Sequence, residues 1–304
     1  LSTRSHLAVG VPGSVAGLID VLETHGTMSI AEVIQPAIRL ARDGFILNRD
    51  LSDQFSSRAK DFSRYPASEK VFTDDGRPYK RGDRFVQGDL AKTLSRIKKS
   101  GKEGFYSGKT ASLLIKEMKA GGGLITEADL AEYRSVWRKP ITGSYRGFEI
   151  VSMPPPSSGG ILLVQMLNML ETLDIAGMGF GGSGTIHAMI EAQRRAYADR
   201  SEYLGDSDFY PVPIARLIDK EYAVERFQYF EFGKAGSSEK IGPGIAPRES
   251  LETTHVSVID DLGNAVSYTT TLNLSYGSKI VVTGAGFLLN NEMDDFSAKE
   301  NEPN

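Results

Sequence analysis

Through its first two-thirds the chain places apolar residues at helical spacing. In "SVAGLIDVLETHG", Val15, Leu18, Ile19 and Leu22 share one face, and Gly26 supplies a stop. "SIAEVIQPAIRLARDG" repeats the pattern, with Ser29 as cap and Gly44 as the end. "TASLLIKEMKAGGG" is another amphipathic helix closed by glycine. In "TEADLAEY", Thr126 and Asp129 stand at capping-box spacing, with aspartate in place of the usual glutamate. The run "ILLVQMLNMLETLDI" from Ile161 is interrupted at Gln165, Asn168 and Thr172, which fall on one stripe. That spacing predicts a helix buried on its other sides and too polar to span a membrane.

Further on the period changes. "GSYRGFEIVSM" alternates as a strand does, and "PPPSSGG" from Pro154 excludes regular structure. "TIHAMIEAQRRAYADRSEYLG" is a long helix ending at Gly205, while "DSDFYPVP" and "GPGIAPRE" read as loops. From Thr253 onward the pattern is β. Helices come first and paired strands follow, with no internal repeat and no steady βαβ alternation. That order favours an α+β layered fold over a doubly wound parallel sheet.

Two alternating runs flank "DDLGN". A three-residue loop, Asp261-Leu262-Gly263, with glycine left-handed, is a favoured hairpin connection. It pairs Asp260 with Asn264, and the register follows. Val258 faces Val266 and Val256 faces Tyr268, making one apolar face with Leu272. The other face sets Thr253, His255 and Ser257 opposite Thr271, Thr269 and Ser267. Opposed residues have Cβ atoms roughly 4.5–5.5 Å apart, so Thr253 and Thr271 are within hydroxyl contact. A slip of one residue would bury the hydroxyls and expose the valines, which specifies the register.

Composition narrows the chemistry. The chain has 304 residues, 40% hydrophobic and 24% charged, enough to bury a sizeable core without staples. Its net charge of -4 gives no basic surface for nucleic acid or anionic lipid. With no cysteine there is no disulfide, thiol nucleophile or thiolate metal site. The first residues, "LSTRSHLAVGVPG", show no signal-peptide pattern and no starting methionine.

The threonine row has two readings. Threonine is a good strand residue, and such a row is an ordinary sheet face. An internal threonine also lacks a built-in base. Cutting the peptide bond before it frees an α-amino group of pKa about 7.7–8 beside its own Oγ, a general base near neutral pH. "GPGIAPRESLE" just upstream is a plausible cleavable segment. His255, on the same face, is a rival base, but two residues along a strand place it roughly 6–7 Å away. "PPPSSGG" fits either an anion site at a helix N-terminus or a rigid lead-in loop capped by Ser157 or Ser158. His187 lies in a helical run, as a packed or capping histidine does.

"TTHVSVIDDLGNAVSYTTTLN", followed by "GFLLNNEMDDFS" and preceded by "MPPPSSGG", closely resembles the γ-glutamyltranspeptidase family. "YADRSEYLGD", "GGLITEADLAEY" and "VIQPAIRLARDGF" fit as well, so the resemblance runs from about His6 to Ser297. It implies a four-layer αββα sandwich of the N-terminal nucleophile hydrolase type, a single domain over 1–304. It implies self-cleavage between Glu252 and Thr253, giving a large-subunit portion, 1–252, and the start of a small subunit, 253–304, that stay together. Thr253 is then the nucleophile and, through its freed amine, the base; Thr271 orients it. Asn273, Glu292 and Asp295 match the family's substrate-head contacts, the two acids holding the α-ammonium. That pairing makes chemical sense, since two carboxylates give charge-assisted acceptors to one cation; outside the family, "NNEMDD" reads as a solvated acidic turn.

The implied donors are glutathione and other γ-glutamyl amides, and the acceptors are water, an amino acid or a dipeptide. No cofactor or metal is implied, and bacterial members are commonly periplasmic or secreted. Family members begin before "SHLAVGVPG" and continue past "MDDFSAK". The arginine and serine pair that hold the α-carboxylate, the oxyanion-hole glycines and the lid loop are expected there. Two alternatives stay open. A related glutaryl or cephalosporin acylase would leave Glu292 and Asp295 no cation to hold. An unprocessed or truncated member would be inactive.

Overall fold

The computed structural model describes residues 1–242 and 253–296. Their contacts gather in two compact units, one of residues 1–136 with 253–296, the other of residues 137–242. The expected loop over 243–249 and the residue Glu252 lie outside the described residues. The four sheets among the described residues are each two-stranded and antiparallel. The described chain is therefore a mixed helix-and-sheet fold with small sheets, in which the layers of an αββα sandwich are not laid out.

In the first unit, Ser14–His25 is helical, and the Gly26 N–H donates to Leu22 O at 2.8 Å. Its buried face is narrower than the apolar pattern implies: Ala16 and Ile19 are buried while Leu18 is exposed. The run from Ser29 forms two helices, Ile30–Val33 and Gln35–Asp43, not one. Pro36 has no N–H to donate back to Glu32 and disfavours helical backbone before it. The capping box at Thr126 forms as expected: Thr126 N and Oγ1 each donate to Asp129 Oδ2 at 2.7 Å.

The segment after the Thr253 hairpin holds this unit together. Residues 278–290 fold back on themselves, Leu289 N donating to Ile280 O at 2.8 Å and Val282 N to Phe287 O at 2.9 Å. Ile280, Val282, Ala285 and Leu289 enter one core with Ile19, Phe105, Leu114 and Met118. Val281 joins a second, aromatic cluster of Phe55, Phe62, Phe72 and Phe85. Side chains on helices supply bonds that a neighbouring strand would make. Ser68 Oγ donates to Lys279 O at 2.7 Å and accepts from Val281 N at 2.9 Å. Thr93 Oγ1 donates to Ala285 O at 2.6 Å.

The second unit opens with a hairpin rather than the single strand expected from "GSYRGFEIVSM". Ile141–Tyr145 pairs with Phe148–Ser152 across Arg146 and Gly147, both left-handed (φ 49° and 86°), the two-residue turn that suits strand twist. Helices Gly159–Glu171, Ser183–Tyr203 and Lys220–Phe227 share a core that includes Ile161, Val164, Ala192, Ala196 and Ala223. Of the stripe expected to face solvent, Thr172 is exposed but Gln165 and Asn168 are buried. Partners on neighbouring elements explain it. Gln165 Nε2 donates to Asp199 Oδ2 at 2.5 Å, and Asn168 Nδ2 to Ile218 O at 2.8 Å. Solvent instead reaches Leu163.

The hairpin Thr253–Ile259 with Ala265–Thr271 has the expected register: Thr253 faces Thr271, Val256 faces Tyr268, and Val258 faces Val266. Asp260 N donates to Asn264 O at 3.0 Å, and Gly263 is left-handed at φ 84°. The apolar face is not buried, however; Val256, Val258 and Val266 are all exposed. Among the described residues the turn is what holds the register. The Asp260 carboxylate accepts from Leu262 N (3.0 Å), Asn264 N (2.8 Å) and Asn264 Nδ2 (2.8 Å). These bonds, that from the Asn264 side chain foremost, hold its carboxyl below the usual range.

Candidate active site

Thr253 begins the hairpin, and its hydroxyl lies 3.5 Å from Thr271 Oγ1. Thr271 is fixed in turn, because its Oγ1 accepts from Asn273 N at 2.9 Å. Along the same face His255 Nδ1 lies 2.7 Å from Thr269 Oγ1, and its Nε2 lies 3.1 Å from both Ser257 Oγ and Ser267 Oγ. Both ring nitrogens thus engage hydroxyls away from Thr253.

Beyond Thr271 the chain turns sharply. Asn273 is buried and left-handed at φ 69°, and its Nδ2 donates to Asn291 O at 3.0 Å. Tyr276 is also left-handed (φ 61°); its hydroxyl donates to Gln54 Oε1 at 3.0 Å, and the Arg58 guanidinium sits 5.5 Å from the ring centre. Arg58 Nη2 donates to Ser275 Oγ at 2.9 Å. At Gly277 (φ 54°) a Cβ would stand 2.3 Å from Leu289 O, so only glycine fits.

The acidic turn Glu292–Asp295 follows Asn291 directly. Asn291 N donates to Leu272 O at 3.1 Å, and Asn291 Oδ1 accepts from Leu274 N at 3.1 Å. Burial, and then the neighbouring Asp295 charge, push the Glu292 carboxyl above its ordinary value. Thr253, Thr271, Asn273, Glu292 and Asp295 all belong to the first unit. The contacts just described join Thr253 to Glu292 in a chain of bonded neighbours. Chemically the site offers a hydroxyl beside a second hydroxyl, a buried amide, and two carboxylates suited to a cation.

The other candidates fall elsewhere. Ser158 stands at the N-cap of Gly159–Glu171 without capping it, and its Oγ instead accepts from Arg200 Nε at 3.0 Å. Ser157 Oγ accepts from Gly159 N at 3.4 Å. His187 Nε2 lies 3.2 Å from Glu231 O with its ring against Phe230, a packed histidine. Among the described residues no three His, Asp or Glu side chains gather into a metal-holding group, and no helix is long and apolar enough to cross a membrane. Sequence reasoning missed Asn290, Asn291 and Gly10. The "NN" before the acids was a signal, but Gly10 lies 280 positions from its partner Asn290, beyond the reach of local pattern.

Comparison with known proteins supplies the class. The profile of the gamma-glutamyltranspeptidase family matches residues 1–304, and the chain belongs to that family. It is 49% identical over 305 residues to the glutathione hydrolase proenzyme of Escherichia coli (strain K12), an alignment covering 100% of this chain and 53% of that protein. The structure resembles Helicobacter pylori gamma-glutamyltranspeptidase with a TM-score of 0.78 and 46% identity, over 80% of this chain and 70% of that one. It resembles cephalosporin acylase from Bacillus halodurans with a TM-score of 0.87 and 26% identity, over 99% of this chain and 55% of that one. The chain spans about half the length of the curated relatives it matches.

Proposed function

We propose that this sequence works as a γ-glutamyltransferase and glutathione hydrolase with Thr253 as its nucleophile. The observation that carries the reading is the Thr253 hydroxyl, 3.5 Å from Thr271 Oγ1 at the start of a strand, in one unit with the acidic turn. In maturation, Thr253 Oγ attacks the Glu252 carbonyl and the amide nitrogen leaves as the Thr253 amine. Water opens the resulting ester and frees the Glu252 carboxylate. In turnover, the Thr253 amine takes the hydroxyl proton as Oγ attacks the γ-carbonyl of a glutamyl amide. The proton passes to the leaving amine. The glutamyl ester is then opened by water, an amino acid or a dipeptide. Thr271 orients the nucleophile, Asn273 contacts the α-substituents, and Glu292 with Asp295 holds the α-ammonium.

The finer assignments belong to the same proposal: an αββα sandwich, a large-subunit portion at 1–252, a small subunit from Thr253, and a periplasmic or secreted location. The two-subunit reading gains support from residues 278–290, whose core packing and bonds to Ser68 and Thr93 do not depend on the peptide bond before Thr253. The test uses the full-length protein. Thr253→Ala should neither split into two fragments nor release amine from a γ-glutamyl anilide; a cleaved, active Ala variant sinks the idea.

The likeness to a cephalosporin acylase favours a second reading, action on a glutaryl amide. Glu292 and Asp295 speak against it, because a glutaryl group has no ammonium. Rates on matched glutamyl and glutaryl anilides decide between them.

A further inference from the structure

We infer that Asn290 and Asn291 are positioning residues that set the spacing between Asn273 and Glu292, an inference that rests on the γ-glutamyl reading above. Asn291 is fully buried and brackets Asn273 on three sides. Its N–H donates to Leu272 O (3.1 Å), its Oδ1 accepts from Leu274 N (3.1 Å), and its carbonyl accepts from the Asn273 side chain (3.0 Å). Asn273 has need of such support. Its left-handed backbone is tolerated by asparagine but is sparsely populated, and such conformations persist where the surroundings over-determine them.

Asn290 does the same for the acidic turn. Its Oδ1 accepts from Gly10 N and its Nδ2 donates to Gly10 O, both at 2.9 Å. The same Oδ1 accepts from Glu292 N at 3.1 Å, one of the N–H groups that a helical turn leaves without an internal partner. Gly10 is itself anchored. Val9 before it lies in the core, and Pro12 O accepts from the buried Tyr106 hydroxyl at 2.7 Å. The Glu292 backbone is thus referenced to the core through a side chain from a distant part of the sequence. Asn291 holds the Asn273 amide and Asn290 holds the Glu292 backbone, so the dipeptide fixes the gap that a glutamyl head must bridge. The Thr253–Thr271 pair is set by the hairpin ladder, which contains neither residue.

The experiment compares full-length protein with its Asn290→Ala, Asn291→Ala and Asn290→Asp variants on γ-glutamyl and glutaryl anilides. Splitting into two fragments reports that each variant folds. Asn291→Ala loses one side-chain hydrogen bond and should raise KM for the glutamyl anilide about tenfold; Asn290→Ala loses three and should raise it at least as much, both with kcat little changed. Asn290→Ala should leave KM for the glutaryl anilide unmoved, since that donor has no ammonium to misplace. Asn290→Asp keeps the acceptor for Gly10 and Glu292 and should recover part of the loss. If Asn290→Ala fails to split, Asn290→Asp carries the test, with a smaller rise confined to the glutamyl donor. An unchanged KM, or a fall in kcat alone on both donors, overturns the inference. An unmutated protein that releases no amine from the glutamyl anilide overturns the functional reading instead.

Discussion

Ser68→Ala tests how residues 278–290 are held. The Ser68 hydroxyl is fully buried and serves two backbone groups of that segment, donating to Lys279 O at 2.7 Å and accepting from Val281 N at 2.9 Å. Alanine removes both bonds and adds no atom to replace them. Lys279 and Val281 are themselves buried, so water does not substitute freely. Each orphaned backbone group costs about 1–3 kcal/mol, and with partial relaxation the pair costs about 2–4 kcal/mol. At roughly 1.4 kcal/mol per tenfold, local opening becomes about 30- to 700-fold more frequent. The assay is amide hydrogen exchange on peptides covering residues 278–290, with helix Gly159–Glu171 in the other unit as internal reference. Exchange should rise in the first region and hold in the second. Unchanged protection around Val281 would refute the claim that a serine on a helix stands in for a strand partner.

Thr271→Val keeps the shape of the side chain but removes the hydroxyl facing Thr253; turnover and self-splitting should both slow by about 100-fold or more, read by anilide kinetics and fragment yield. Gly277→Ala should destabilise the first unit by about 2 kcal/mol or more in chemical denaturation, because φ is 54° and the new Cβ meets Leu289 O. Glu292 carries a pH signature. Its carboxyl is raised by burial first and Asp295 second, so its stabilising contribution is present below the unfolded pKa and is lost as pH rises through the folded one. Ammonium capture runs the other way, since it needs the ionised form. KM for a glutamyl donor should therefore climb as pH falls through a point above the ordinary glutamate range, and Glu292→Gln should abolish that limb while slightly raising stability at neutral pH.

What the sequence made legible was local. The capping box at Thr126, the Gly26 stop and the complete Thr253–Thr271 register all follow from interactions within a few residues or across one tight turn. The errors came where distant elements intervene. Gln165 and Asn168 looked like a solvent stripe because nothing near them in sequence shows that Asp199 and Ile218 will accept from their amide nitrogens. Alternation put the hairpin valines on one face, as observed, but it reports which residues share a face, not what covers it. The site divides the same way. The pairing of Thr253 with Thr271 was derivable from the turn, whereas their proposed roles, like those of Glu292 and Asp295, came from the family resemblance. Asn290's grip on Gly10 closes a gap of 280 residues and was visible only in three dimensions.

The central claim is that Thr253 is made into an N-terminal nucleophile by cutting its own precursor. Intact mass analysis of the purified full-length protein tests it most directly, with N-terminal sequencing of the smaller fragment. The account predicts two species whose smaller member begins Thr253-Thr254-His255, and a single uncut species for Thr253→Ala. A fully active protein that remains one chain, or a fragment beginning anywhere other than Thr253, would contradict it.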